Sequence, residues 1–320
     1  MKKKISTWLS IILPLLLGVF LIHSTFTKFT PDQLAEIKNH FRNANYNYIY
    51  LSLFVAFLGS ASRAYRWKYS LEHMGYQTSF ANNFMAVSIG YLMNMTIPRS
   101  GEISRALIVK KYDNIPFDKG FGSIVAERIV DMMILLFFII LAFFVQFDIV
   151  KAFILDKIPL QKLLLVLGIA ILFGLAFIWA YLYSKSKFIF MFKQKIQGLK
   201  EGLLSLVLMK RKWSYLFHTL FIWFSYILMF YISIFVIPET SNIPFGAIIT
   251  SFVVGSIAIA FTNSGFGSYP FLISKILLFY SISETAGNAF GWIVWTSQMV
   301  LLAFLGCIGF LLLPFFNRSK

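Results

Sequence analysis

Asn94-Met-Thr-Ile-Pro-Arg-Ser-Gly-Glu-Ile-Ser-Arg105, followed by Ala126-Glu-Arg-Ile-Val-Asp131, decides how this chain is read. The two segments place Arg99, Glu102, Arg105, Glu127, Arg128 and Asp131 among runs that are otherwise close to pure hydrocarbon. Ionisable groups beside or inside membrane spans are costly, so they pair with one another or line a polar cavity. Pro98 and Gly101 break the helix at the same point. Broken backbone at membrane depth survives only where protein or a water-filled cavity satisfies it. Charge and breakage together predict a polar site inside a bundle of helices.

Composition supports that frame. Hydrophobic residues make up 58% and charged residues 13% of 320, with a mean hydropathy of +0.75, whereas a soluble globule carries roughly 25% charged residues. The predicted class is all-α, a polytopic helical membrane protein, read as one transmembrane domain over 1–320 with no room for a soluble catalytic domain beside the spans. The net charge of +16 sits at the ends of apolar runs. That is the positive-inside pattern and a surface for anionic lipid, and it argues against nucleic acid. Cys307 is the sole cysteine, and His23, His40, His73 and His218 are scattered, so neither an intrachain disulfide nor a metal site is expected. No cofactor is called for.

Spans of about 20 apolar residues are predicted at 5–22, 47–66, 129–147, 161–183, 214–237 and 286–314, with shorter ones at 245–261 and 269–282. The first follows Lys2-Lys3-Lys4 without a small-x-small cleavage site and reads as an uncleaved span. Basic residues at 2–4, at 63–68, through 184–212 and at 318–320 put both termini in the cytosol of a multi-pass cell-membrane protein. Residues 80–97 then cannot cross once and stop. They dip in, turn at Pro98–Gly101 and return, so that 80–112 forms a re-entrant hairpin and about eight crossings remain. Crossing by 103–125 is the alternative, made expensive by its charges. Within 184–212, Phe188, Phe192, Ile196, Leu199, Leu203 and Leu206 form one stripe, the pattern of an interfacial helix.

A second break, Thr262-Asn-Ser-Gly-Phe-Gly-Ser-Tyr-Pro270, separates two apolar runs in the other half of the chain. Interrupted segments in corresponding positions point to a midplane site between inverted repeats. Asn94 in the first break and Asn263, Ser264, Gly265 and Gly267 in the second are therefore candidate binding residues, through small side chains and backbone N–H groups. A tight packed turn explains the second break equally well.

Glu127 and Asp131 share a helix face, and Arg128 lies three before Asp131, the same spacing as Glu102 and Arg105. Two uses of these charges stand together. They fasten the hairpin to the next helix as an ion-pair lattice, or the arginines grip a phosphate or carboxylate headgroup through bidentate hydrogen bonds. Arg63, Arg66, Trp67 and Lys68 read as interfacial anchors ending a span. No catalytic motif occurs, and Asp113 and Asp118 straddle Pro116 in a poor metal arrangement.

Pro98-Arg-Ser-Gly-Glu-Ile-Ser-Arg105, Ala126-Glu-Arg-Ile-Val-Asp131 and Arg63-Ala-Tyr-Arg-Trp67 resemble the transmembrane region of the lysylphosphatidylglycerol synthase/flippase family, whose stand-alone members are flippase-like proteins. The resemblance runs from the second span to the C-terminus. It implies movement of phospholipids or lipid-linked headgroups between leaflets, without the aminoacyl transfer that belongs to a soluble synthase domain. One departure stands out: Pro270 occupies the place of an acid that the family's second break usually carries.

Three functions follow as expectations. The first is a lipid translocator, passive or ion-coupled since no ATP site is present, with membrane phospholipids or a lipid-linked substrate as ligand and no enzymatic step. The second is an accessory subunit working with envelope-biosynthesis proteins. The third is a membrane enzyme acting on lipid-linked sugars or phosphates.

Overall fold

The computed structural model describes residues 2–147 and 208–318, with scattered positions between. Expected features at 161–183 fall mostly outside the described residues, and the stripe at 188–206 lies outside them entirely. Among the described residues all regular structure is helical. The chain divides into two compact units, Met1–Glu127 with Lys210–Lys320, and Arg128–Met209.

In the first unit the chain opens with α1 (Lys2–Phe26) and α2 (Pro31–Asn43). Thr30 and Gln33 form a reciprocal capping box at the start of α2, which satisfies two backbone donors that a helix start otherwise leaves open. α3 (Tyr46–His73) leads to α4 (Phe80–Thr96), α5 (Ser100–Tyr112) and α6 (Phe117–Val145). α7 (Lys212–Ser233), two short 3-10 turns, α8 (Phe245–Phe261), α9 (Ser268–Leu278) and α10 (Glu284–Phe316) complete the order. The second unit contains the remainder of α6 after Glu127.

The order repeats. A long helix, a 17-residue helix, a break, a short helix and a long helix occur as α3–α6 and again as α7–α10. Each 17-residue helix is about 25 Å long, short of the ~30 Å hydrocarbon core, and each folds back on its successor. Asn82 at the start of α4 meets Asp113 at the end of α5, and Asn94 near the end of α4 meets Gly101 near the start of α5. In the second pair, Thr262 at the end of α8 meets Ser268 at the start of α9. α3 packs along α7, while α10 lies against both α4 and α9 and so joins the two hairpins.

Three described stretches are long and apolar enough to cross a bilayer, Phe117–Val145, Lys212–Val236 and Glu284–Phe316. Of the other expected spans, those in α8 and α9 are shorter, and that in α3 is interrupted by Arg63 and Arg66. This is a polytopic helical membrane protein.

Candidate functional site

Pro98 sets the first break. Its ring pushes the preceding residue out of the helical region, and Ile97 is extended at φ −127°, ψ 117°. Arg99 then takes a left-handed conformation, φ 64°, exposed at the hairpin tip, and α5 starts with no side-chain cap. Asn94 closes the loop from the inside: its Oδ1 accepts from the Gly101 N–H at 2.7 Å. A Cβ on Gly101 would lie 2.1 Å from the Gly90 carbonyl oxygen, so only glycine lets α5 return so close to α4.

The second break has the same ingredients. Ser264, Gly265 and Gly267 have φ of 53°, 80° and 68°, and α9 too begins without a side-chain cap. The two breaks touch. Asn263 Nδ2 donates to the Met95 carbonyl at 3.1 Å, Ser264 Oγ donates to the Asn94 carbonyl at 3.4 Å, and the Ser264 carbonyl accepts from Trp295 Nε1 of α10 at 2.8 Å. Asn263 is buried, its Oδ1 without a hydrogen-bond partner. Two interrupted hairpins, 168 residues apart, thus share one polar contact.

One turn along α5 from Gly101 lies Arg105, buried, with its stem over Gly90. Its Nη2 donates to Glu127 Oε2 at 3.1 Å, and its guanidinium stacks on the Trp67 ring at 4.1 Å. The Trp67 Nε1–H donates to Ser123 Oγ at 2.9 Å. Arg66, fully buried, brings Nε to 4.0 Å from Glu127 Oε1. Arg63 Nη2 donates to the Tyr226 hydroxyl of α7 at 3.0 Å. A charge in a dry interior survives only with a countercharge and hydrogen bonds. One carboxylate between two guanidiniums, backed by an indole face, supplies both.

This corrects one reading of the sequence. Arg63, Arg66 and Trp67 are not interfacial anchors but are buried beside Glu127 and Arg105. Their i, i+3, i+4 spacing puts them on one face of α3, and that was the available signal. Lys68 is half-buried, with Glu72 one turn on at 3.9 Å.

The predicted residues fall into four groups. Asn94, Asn263 and Ser264 make the contact between the breaks, with Gly265 and Gly267 shaping the second turn. Arg105 and Glu127 form the buried pair. Arg99 is exposed and Glu102 half-buried on the first turn of α5. Arg128 and Asp131 belong to the second unit, Asp131 buried. Among the described residues no group of His, Cys, Asp and Glu is arranged to hold a metal ion.

The family model of the lysylphosphatidylglycerol synthase TM region matches residues 9–290. The chain belongs to this family. Similar curated proteins are a UPF0104 membrane protein, MJ1595, of Methanocaldococcus jannaschii, 34% identical over 99 residues, or 30% of each chain, and the glycosyltransferase AglD of Haloferax volcanii, 33% identical over 72 residues, 22% of this chain and 12% of that one. The chain therefore matches less than a third of the length of either relative. No solved structure matches it. Within this lysylphosphatidylglycerol synthase TM family member, the break contact and the charged cluster both lie inside the matched residues.

Proposed function

We propose that this protein translocates a phospholipid or a lipid-linked headgroup between leaflets of the cell membrane, with both termini cytosolic and no enzymatic step of its own. The observation that carries the reading is the contact of two broken hairpins inside a helical bundle. At each break a helix starts without a side-chain cap, at Arg99 and at Gly267. The Gly101 N–H is held by Asn94 and the Ser100 and Tyr269 N–H groups by backbone carbonyls, so what favours negative charge at these starts is the positive end of each helix dipole, and Arg99 adds an exposed cation at one of them. The Arg66–Glu127–Arg105 cluster is closed to ligand in this conformation. Its role is to hold the first hairpin in place while a headgroup passes the tip.

The test is leaflet exchange of labelled anionic, aminoacylated and polyprenyl-phosphate lipids in liposomes containing the purified protein. Exchange well above protein-free liposomes is expected, reduced in Arg99→Ala and in Glu102→Gln. Folded protein that moves none of these lipids faster than empty liposomes would overturn the reading. The similarity to part of AglD, named a glycosyltransferase, favours one second reading, a membrane accessory to glycosyl transfer onto lipid. Stable co-purification with a glycosyltransferase, without lipid exchange, would select it.

A further inference from the structure

At the far end of the first hairpin from its tip, α4 and α10 leave an open-sided groove of about 230 Å³ between them, several times the roughly 30 Å³ share of one water. Its lining is apolar: Phe80 and Phe84 from α4, Leu312 and Phe316 from α10, with Gly309 at the floor. The α4 wall is fixed by ring contacts, two stacked and one edge-on. Phe80 lies 4.3 Å from Tyr65 and 5.9 Å from Phe84, and Phe84 lies 5.6 Å from Phe57, centroid to centroid. The α10 rim is open, with Leu312 and Phe316 exposed on a helix long and apolar enough to cross a bilayer. Such a slot in such a helix faces acyl chains.

The groove's end has a different chemistry. Asn82 and Asn317 exchange hydrogen bonds at 3.0 and 2.9 Å, and Asn82 Nδ2 also reaches Asp113 Oδ1 at 3.0 Å. This polar clamp joins the base of the hairpin to the end of α10. Around it are three exposed cations, Lys110, Lys111 and Arg318. Lys111 Nζ sits over the Tyr112 ring at 5.0 Å, and Tyr112 packs on the cluster of Met85, Ile89 and Leu313, of which Met85 lines the groove. The Arg318 guanidinium lies over Phe315 at 4.4 Å. Asp113 is the acid at this end, and it accepts from Asn82. The balance is positive, at a hydrocarbon slot's exit to the interface.

We propose that the groove is a binding site for one acyl chain of an anionic phospholipid, whose phosphate rests on Lys111 and Arg318. The dry slot selects hydrocarbon and the cations select the headgroup charge. Filling the slot keeps α4 against α10 on a face that bilayer lipid would otherwise pack poorly. The site is separate from the break contact, and it does not depend on translocation.

Protein in phosphatidylcholine liposomes is irradiated with trace phosphatidylglycerol, or in parallel trace phosphatidylcholine, carrying a diazirine in one acyl chain. Labelled residues are mapped by mass spectrometry. Phosphatidylglycerol is expected to concentrate its label on the α4 and α10 residues of the groove. Arg318→Gln or Lys111→Gln should each cut the preference over phosphatidylcholine by about fivefold, the weight of one interfacial cation. Leu312→Trp, a change at an exposed position, should block the groove and move the label elsewhere while the fold is kept. Equal labelling by both probes, or label spread evenly to Phe304 and Phe310, overturns the site. So does an unlabelled groove that cross-links to a second copy of the chain. Leaflet exchange is read separately, so failure here and failure of translocation are distinguishable.

Discussion

Arg105 Nη2 stands 3.1 Å from Glu127 Oε2, both side chains buried, and this contact ties the returning helix of the first hairpin to the 29-residue helix that follows. A buried pair is weak evidence for net stability, but breaking one strands a charge. Arg105→Leu alone is therefore expected to destabilise by about 3–5 kcal/mol. Arg105→Leu with Glu127→Leu should recover only part of that, because Arg66 also faces Glu127. Thermal unfolding in detergent for the single and double variants measures both.

Trp67 links the same cluster to α6. Trp67→Phe keeps a ring under Arg105 but removes the donor to Ser123. A loss of about 1–2 kcal/mol is expected, one hydrogen bond and part of a cation–π contact. Ser123→Ala in the Trp67→Phe background should then cost little more, and a double-mutant cycle reads the coupling.

Two carboxamides act at the breaks, that of Asn94 closing the first turn and that of Asn263 reaching across from the second. Asn94→Ala frees the Gly101 amide, and Asn263→Ala frees the Met95 carbonyl. Each is expected to cost roughly 1–3 kcal/mol, the penalty for a buried group left without its partner. Hydrogen exchange at Gly101 should speed up in Asn94→Ala and stay slow in Asn94→Asp, which keeps the acceptor.

Two glycines with positive φ make a controlled comparison. Gly75 has φ +89° with open space around it, whereas Gly267 has φ +68° and its Cβ would come 2.4 Å from the Gly18 carbonyl oxygen of α1. Gly75→Ala should cost only the left-handed strain, roughly 1–2 kcal/mol. Gly267→Ala must in addition displace α1, so its folded yield and thermal midpoint should fall well below those of Gly75→Ala.

These outcomes mark where local signals stop. Pro98 announces the end of α4 because its effect on Ile97 is steric and local. The Thr30-Pro-Asp-Gln33 capping box is local too, yet α2 is short and polar and leaves no long apolar run. Arg63 and Arg66 defeat hydropathy, since an arginine near a span end looks the same whether it reaches headgroups or a buried carboxylate.

The residues by themselves determined that this is a helical membrane protein, that its helices break around Pro98–Gly101 and within 262–270, and that acids and arginines gather near the first break. Each follows from composition, periodicity or the sterics of a single proline or glycine. Only the tertiary structure decided that the two breaks touch, that Glu127 is shared between Arg105 and Arg66, and that a dry groove opens beside the Asn82–Asn317 clamp. Those facts depend on how α3, α5, α6 and α10 pack, and partners many residues apart leave no periodic trace in one chain.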